Sequence, residues 1–91
     1  MVVSYEQIVQ NIIKEQEKVI GPLALDQAKK VHGISVDTGN QSVTIEGDKR
    51  EAVEELVKQY EHLFGKIAIE VCKEALKNMN VQKEELPGIL Q

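Results

Sequence analysis

The chain has 91 residues, 42% of them hydrophobic and 29% charged, with a net charge of −4 at pH 7. This balance is typical of one folded domain, residues 1–91, rather than of a disordered chain. The acidic charge and the small aromatic share (3%) argue against nucleic-acid and membrane binding. A single cysteine and the lack of a signal-like or spanning apolar run favour a cytoplasmic protein.

The first predicted helix begins at Ser4. Ser4 and Gln7 have the spacing of a capping box, in which each side chain satisfies a backbone amide of the other residue. Apolar residues then recur at helical spacing and predict one buried face. The residues on that face are Tyr5, Ile8, Val9, Ile12, Ile13, Val19 and Ile20.

A short second helix follows at once. Gly21 ends the first helix because glycine tolerates the backbone conformation of a helix C-cap. Pro22 cannot continue the hydrogen-bond ladder but suits the start of a new helix. We expect this helix to run from Pro22 to Val31, with Leu25, Ala28 and Val31 facing inward.

A β-hairpin is predicted over residues 34–46. Segments 34–37 and 42–46 alternate apolar with polar residues, and the Thr-Gly-Asn-Gln sequence at 38–41 is typical of a turn. Because a two-stranded hairpin is marginally stable in water, it must lie on the helices or pair edge to edge with a second copy. Its apolar face carries Ile34, Val36, Val43 and Ile45.

Residues 4–31 and 48–75 form an internal repeat with six identical pairs among 28. The third helix therefore begins at Asp48 and ends at Gly65, and the fourth helix stops near residues 78–80. The predicted fold class is α+β, mostly helical, with two repeated helix–Gly–helix units in the order ααββαα and pseudo-twofold symmetry. The predicted inward residues of these helices are Ala52, Val53, Leu56, Val57, Tyr60, Leu63, Phe64, Ala68, Ile69, Cys72, Ala75, Leu76 and Met79.

The C-terminal tail, residues 81–91, has no counterpart in the first repeat. Its apolar residues Leu86, Ile89 and Leu90 surround a Pro-Gly turn. Two interpretations stay open. The tail folds back over an open end of the helices, or it serves as a short docking peptide for a partner.

The candidate chemical groups favour a protein that is not an enzyme. Cys72 aligns with Ala28 on a predicted apolar face, which is typical of a buried thiol rather than a nucleophile. His32 and His62 stand 30 residues apart, unlike the ligands of a metal site. The clustered glutamates belong to solvated helix faces. We therefore expect no catalytic residues, no cofactor and no metal.

The leading hypothesis is a non-enzymatic protein–protein interaction module, a small homodimeric adaptor or regulatory subunit. Self-association is expected through Ile34, Val36, Val43 and Ile45, and docking through Leu86, Ile89 and Leu90. The alternative is a small-molecule-binding sensor with a pocket edged by Tyr5, Tyr60, His62 and Cys72. A nucleic-acid binder ranks third, because it would need Lys29, Lys30, Lys73 and Lys77 grouped by a dimer.

Overall fold

The computed structural model describes residues 3–37, 39, 42–77 and 79–91. It contains helices α1 (Tyr5–Ile20), α2 (Leu23–Lys29), α3 (Lys49–Phe64) and α4 (Ile67–Leu76), and strands β1 (Ile34–Val36) and β2 (Val43–Ile45). Two short 3₁₀ turns, Lys83–Glu85 and Gly88–Leu90, complete the chain. The prediction of a mostly helical α+β fold with a hairpin between two pairs of helices is confirmed.

The two long helices begin and end in the same way. The Ser4 side chain accepts a hydrogen bond from the Gln7 amide, and the Gln7 side chain returns one, so the predicted capping box is present. The Asp48 carboxylate accepts from the Glu51 amide at the start of α3. Each helix has 16 residues and ends at a glycine with positive φ, 67° at Gly21 and 79° at Gly65.

Both terminal glycines are expected to resist substitution. With ψ of −147° and −168°, Gly21 and Gly65 lie in a backbone region that only glycine adopts readily. Gly21→Ala or Gly65→Ala should each lower the free energy of unfolding by about 1–3 kcal/mol, measured by urea denaturation. Gly88→Ala is the matched control, because Gly88 has neither a positive φ nor an atom within 4 Å of an added Cβ. Equal stabilities of all three variants would contradict this prediction.

The core is one cluster between the four helices and the inner face of the hairpin. Helix α1 contacts the other three helices and β2, while α3 packs on α4, α2 and the C-terminal 3₁₀ turn. The fully buried apolar side chains of α1 and α3, which form the centre of this cluster, are Ile8, Val9, Ile12, Val53, Leu56, Val57 and Tyr60. The predicted inward faces of the two long helices are therefore confirmed along most of their length.

The hairpin lies on the helices, which is the first of the two arrangements expected for it. Its strands are antiparallel, with Ile34 opposite Ile45 and Val36 opposite Val43. β2 contacts α1, and β1 contacts α2. Three residues of the predicted turn, positions 38, 40 and 41, fall outside the described residues.

The structure differs from the sequence prediction at the ends of the helices. α2 stops at Lys29, and Val31 is buried beyond it in the turn that leads to β1, where its carbonyl accepts from the Ile34 amide. Leu25 is only half-buried. α4 ends at Leu76, and residue 78 of its predicted stop lies outside the described residues.

The predicted inward positions of Val19 and Leu63 are wrong. Both side chains are exposed, while the neighbouring Ile20 and Phe64 are half-buried against the core. The apolar period continues to the last turn of each long helix. The short helix that packs against that long helix begins only about one turn before the long helix ends. Packing therefore covers one of the two apolar positions in that turn and leaves the other in solvent.

Candidate functional site

Buried hydrogen bonds from two side chains, Gln16 and Tyr60, join the helix pairs to each other. The Gln16 side chain, fully buried in α1, donates from Nε2 to the Ala68 carbonyl at 3.0 Å and to Cys72 Sγ at 3.4 Å. The buried Tyr60 hydroxyl donates to the Ala24 carbonyl at 2.6 Å. The two donors are 44 residues apart in the sequence, and so are their two carbonyl acceptors.

These bonds bring the ends of four helices together. Tyr60 places the first turn of α2 beside the final turns of α3, and Gln16 places the first turn of α4 beside the final turns of α1. Val19 and Leu63 each lie one turn beyond those donors, and Leu23 and Ile67 each precede an acceptor. All four residues therefore lie at the helix ends that these bonds bring together.

We call this set the tip surface, defined by Val19, Leu23, Leu63 and Ile67. Their exposed fractions are 62%, 50%, 47% and 68%, and in the described part of the chain they are the exposed large apolar side chains. They form two pairs at equivalent positions of the repeat, Val19 with Leu63 and Leu23 with Ile67. Exposed apolar side chains that lie close together, unlike scattered single ones, are typical of interaction surfaces.

Two unpaired charges of opposite sign border the tip surface. Asp26 lies one turn after Leu23 in α2, and Lys66 immediately precedes Ile67. Both are exposed, and neither forms an ion pair with another described residue.

The residues predicted for self-association and docking lie mainly inside the chain's own core. Ile34, Val43 and Ile45 are buried, and Val36 is half-buried. Leu86 and Leu90 are buried as well, while Ile89 is half-buried. The structure therefore brings the hairpin residues together on the helices and the tail residues together on α3 and α4, at places separate from the tip surface.

The tail is held by polar contacts to its backbone. The Tyr5 hydroxyl donates to the Glu85 carbonyl at 2.7 Å. The Arg50 guanidinium donates from Nε and Nη2 to the Leu86 carbonyl at 3.1 and 2.9 Å, and the Gln91 side chain donates to the same oxygen at 2.8 Å. A charged guanidinium that holds a single carbonyl in this way fixes the tail's position across α3.

The residues named for a sensor pocket do not line one cavity. Tyr60 and Cys72 are buried in the core, His62 is exposed, and Tyr5 lies at the tail. Burial raises the pKa of the Cys72 thiol to about 11, so at neutral pH it is a protonated core group rather than a nucleophile. The expectation that Cys72 belongs to the core is confirmed.

An open cavity of about 630 Å³ lies elsewhere, between the end of α2, the connection from β2 to α3, and α3 itself. The charged and polar residues among those that line it are Lys30, His32, Glu46, Asp48, Glu51, Glu55 and Gln59. Within the described ranges, no three His, Cys, Asp or Glu side chains converge in a way that could hold a metal ion. None of the helices described is long and apolar enough to cross a bilayer.

Sequence reasoning did not find the tip surface, although a signal for it was present. Large apolar residues flank Gly21 and Gly65 at the same positions in both repeats. No protein-family model, curated protein or solved structure matches this chain.

Proposed function

We propose that this protein is a non-enzymatic interaction module, an adaptor or regulatory subunit that contacts its partner through the tip surface. The observation that carries this proposal is the exposure of Val19, Leu23, Leu63 and Ile67 at one end of the molecule. Removing apolar surface from water yields roughly 25 cal/mol per Å², so covering these four side chains is a favourable source of binding free energy.

Both repeat units contribute equivalent residues to the tip surface. We infer that the two helix–Gly–helix units are related by a pseudo-twofold axis that passes through the tip surface. The equivalent bonds of Gln16 and Tyr60 support this, as do the matched exposed pairs. Under this arrangement each unit contributes one residue from its long helix and one from its short helix, and the internal duplication builds one contact surface.

Acidic substitutions on the tip surface are expected to remove the partner. In the double variant Leu63→Glu/Ile67→Glu, binding would bury two unpaired carboxylates, and we expect a loss of affinity of about 100-fold. Both residues are exposed, so the variant should fold like the wild-type protein. Native mass spectrometry of the untagged protein, expressed in its own host, reports the partner and its loss in the same spectra.

Thr44→Glu is the matched control, because Thr44 is exposed on the outer face of the hairpin. The control should keep the partner. A complex that survives the tip substitutions, or that is lost equally in the control, contradicts the proposal. A wild-type monomer that carries only a small molecule also contradicts it, and favours the alternative of a small-molecule sensor.

A further inference from the structure

We propose that the partner at the tip surface is a second copy of this chain, arranged so that the first helix pair of one copy faces the second helix pair of the other. This inference rests on the proposed function and adds the identity and orientation of the partner. The resulting dimer has a twofold axis in the plane of the contact, and each copy contributes its tip surface to it.

The matched exposed pairs make the tip surface suited to its own copy. In a twofold contact, residue i of one copy touches residue j of the other, and j touches i in return. Leu23 and Ile67 occupy equivalent positions of the repeat and have side chains of similar shape. Leu23 of one copy can therefore contact Ile67 of the other, as this condition requires. In the proposed orientation Leu23 lies against Ile67 of the partner subunit, and this contact occurs twice.

The charges select one orientation of the two copies. Suppose instead that the first helix pair of one copy lay over the first helix pair of the other. Asp26 would then face Asp26 of the partner subunit, and Lys66 would face Lys66 of the partner subunit. Such like-charge contacts oppose binding. The rotation that places the first pair over the second brings Asp26 against Lys66 of the partner subunit, again twice. This difference comes from a departure within the repeat, since the position equivalent to Lys66 is Pro22. The position equivalent to Asp26 is also acidic, but that residue, Glu70, pairs with Lys73 of its own chain.

The size of the molecule suits such a contact. Specific protein interfaces bury about 800 Å² on each partner, which is about a seventh of the 5474 Å² surface of this chain. The molecule measures 30, 27 and 21 Å along its principal axes, so no face spanned by two of them is much larger than that. We therefore expect a dimer that dissociates within the concentration range of sedimentation velocity.

Charge reversal tests the partner and its orientation together. Asp26→Lys and Lys66→Glu should each raise the dissociation constant of the dimer about tenfold, because each replaces two attractive contacts by two repulsive ones. The combined variant Asp26→Lys/Lys66→Glu should return to within about threefold of the wild type, because the opposite charges face each other again. Dissociation constants come from sedimentation velocity of the purified full chain.

The outcomes separate this inference from the proposed function. Weakened single variants with a restored double variant support the second copy and its orientation. A dimer that Leu63→Glu/Ile67→Glu disrupts but charge reversal leaves unchanged overturns the orientation. A wild-type monomer that binds a different protein through the tip surface overturns the second copy while the proposed function stands, and a dimer unaffected by the tip substitutions overturns both.

Discussion

Tyr60→Ala is expected to lower the free energy of unfolding by about 3–5 kcal/mol. Tyr60 is among the largest fully buried side chains, in the final turns of α3, and its hydroxyl donates to the Ala24 carbonyl. Its removal opens a large cavity and also removes a buried hydrogen bond between the helix pairs. Because small domains have a net stability of only about 5–15 kcal/mol, this single change is expected to leave the protein marginally folded.

The variant Tyr60→Phe distinguishes the contribution of the hydroxyl to stability from that of the ring. This variant keeps the packing and loses only the 2.6 Å bond to Ala24, so the expected loss is about 1 kcal/mol. Urea denaturation followed by circular dichroism measures both variants. Tyr5→Phe is the control for a tyrosine hydroxyl bond in a less buried site, on the tail. If Tyr60→Phe were as costly as Tyr60→Ala, the hydroxyl rather than the ring would dominate, contrary to this prediction.

Local signals in the sequence predicted where the two long helices begin and end. Ser4 and Asp48 cap the starts of the two long helices, and Gly21 and Gly65 end them. These signals are local, because helix capping and a positive φ depend on neighbouring residues. The same reasoning could not find the role of Gln16. Its position lies on the apolar face of α1, but a glutamine there becomes buried only when another element supplies an acceptor for its amide.

Burial near the tip surface also depends on distant residues. Periodicity predicts which side of α1 faces inward, but it does not say how far the neighbouring helix extends. Val19 is therefore exposed although it follows the apolar period, and Ile20 is half-buried. The tail illustrates the same limit, since sequence reasoning left open whether its three apolar residues fold back on the helices or dock into a partner.

Substitution of the buried tail residues tests how strongly the tail is docked on the helices. Leu86→Ala and Leu90→Ala should each lower the free energy of unfolding by about 2–3 kcal/mol, because both side chains are buried at one end of the core. Ile89→Ala is the control, since Ile89 is only half-buried and should cost less. Urea denaturation gives the totals, and hydrogen exchange at the Leu86 and Leu90 amides reports local release of the tail.

The double variant Leu86→Ala/Leu90→Ala should cost less than the sum of the two single changes. The tail is one short segment, and once it detaches, a further substitution in it has nothing left to disrupt. The combined loss of stability cannot exceed the free energy with which the tail docks. Arg50 contributes to that free energy through the Leu86 carbonyl, and Tyr5 contributes through the Glu85 carbonyl. Strict additivity, with loss of protection in α1 as well, would show instead that the tail unfolds only together with the helices.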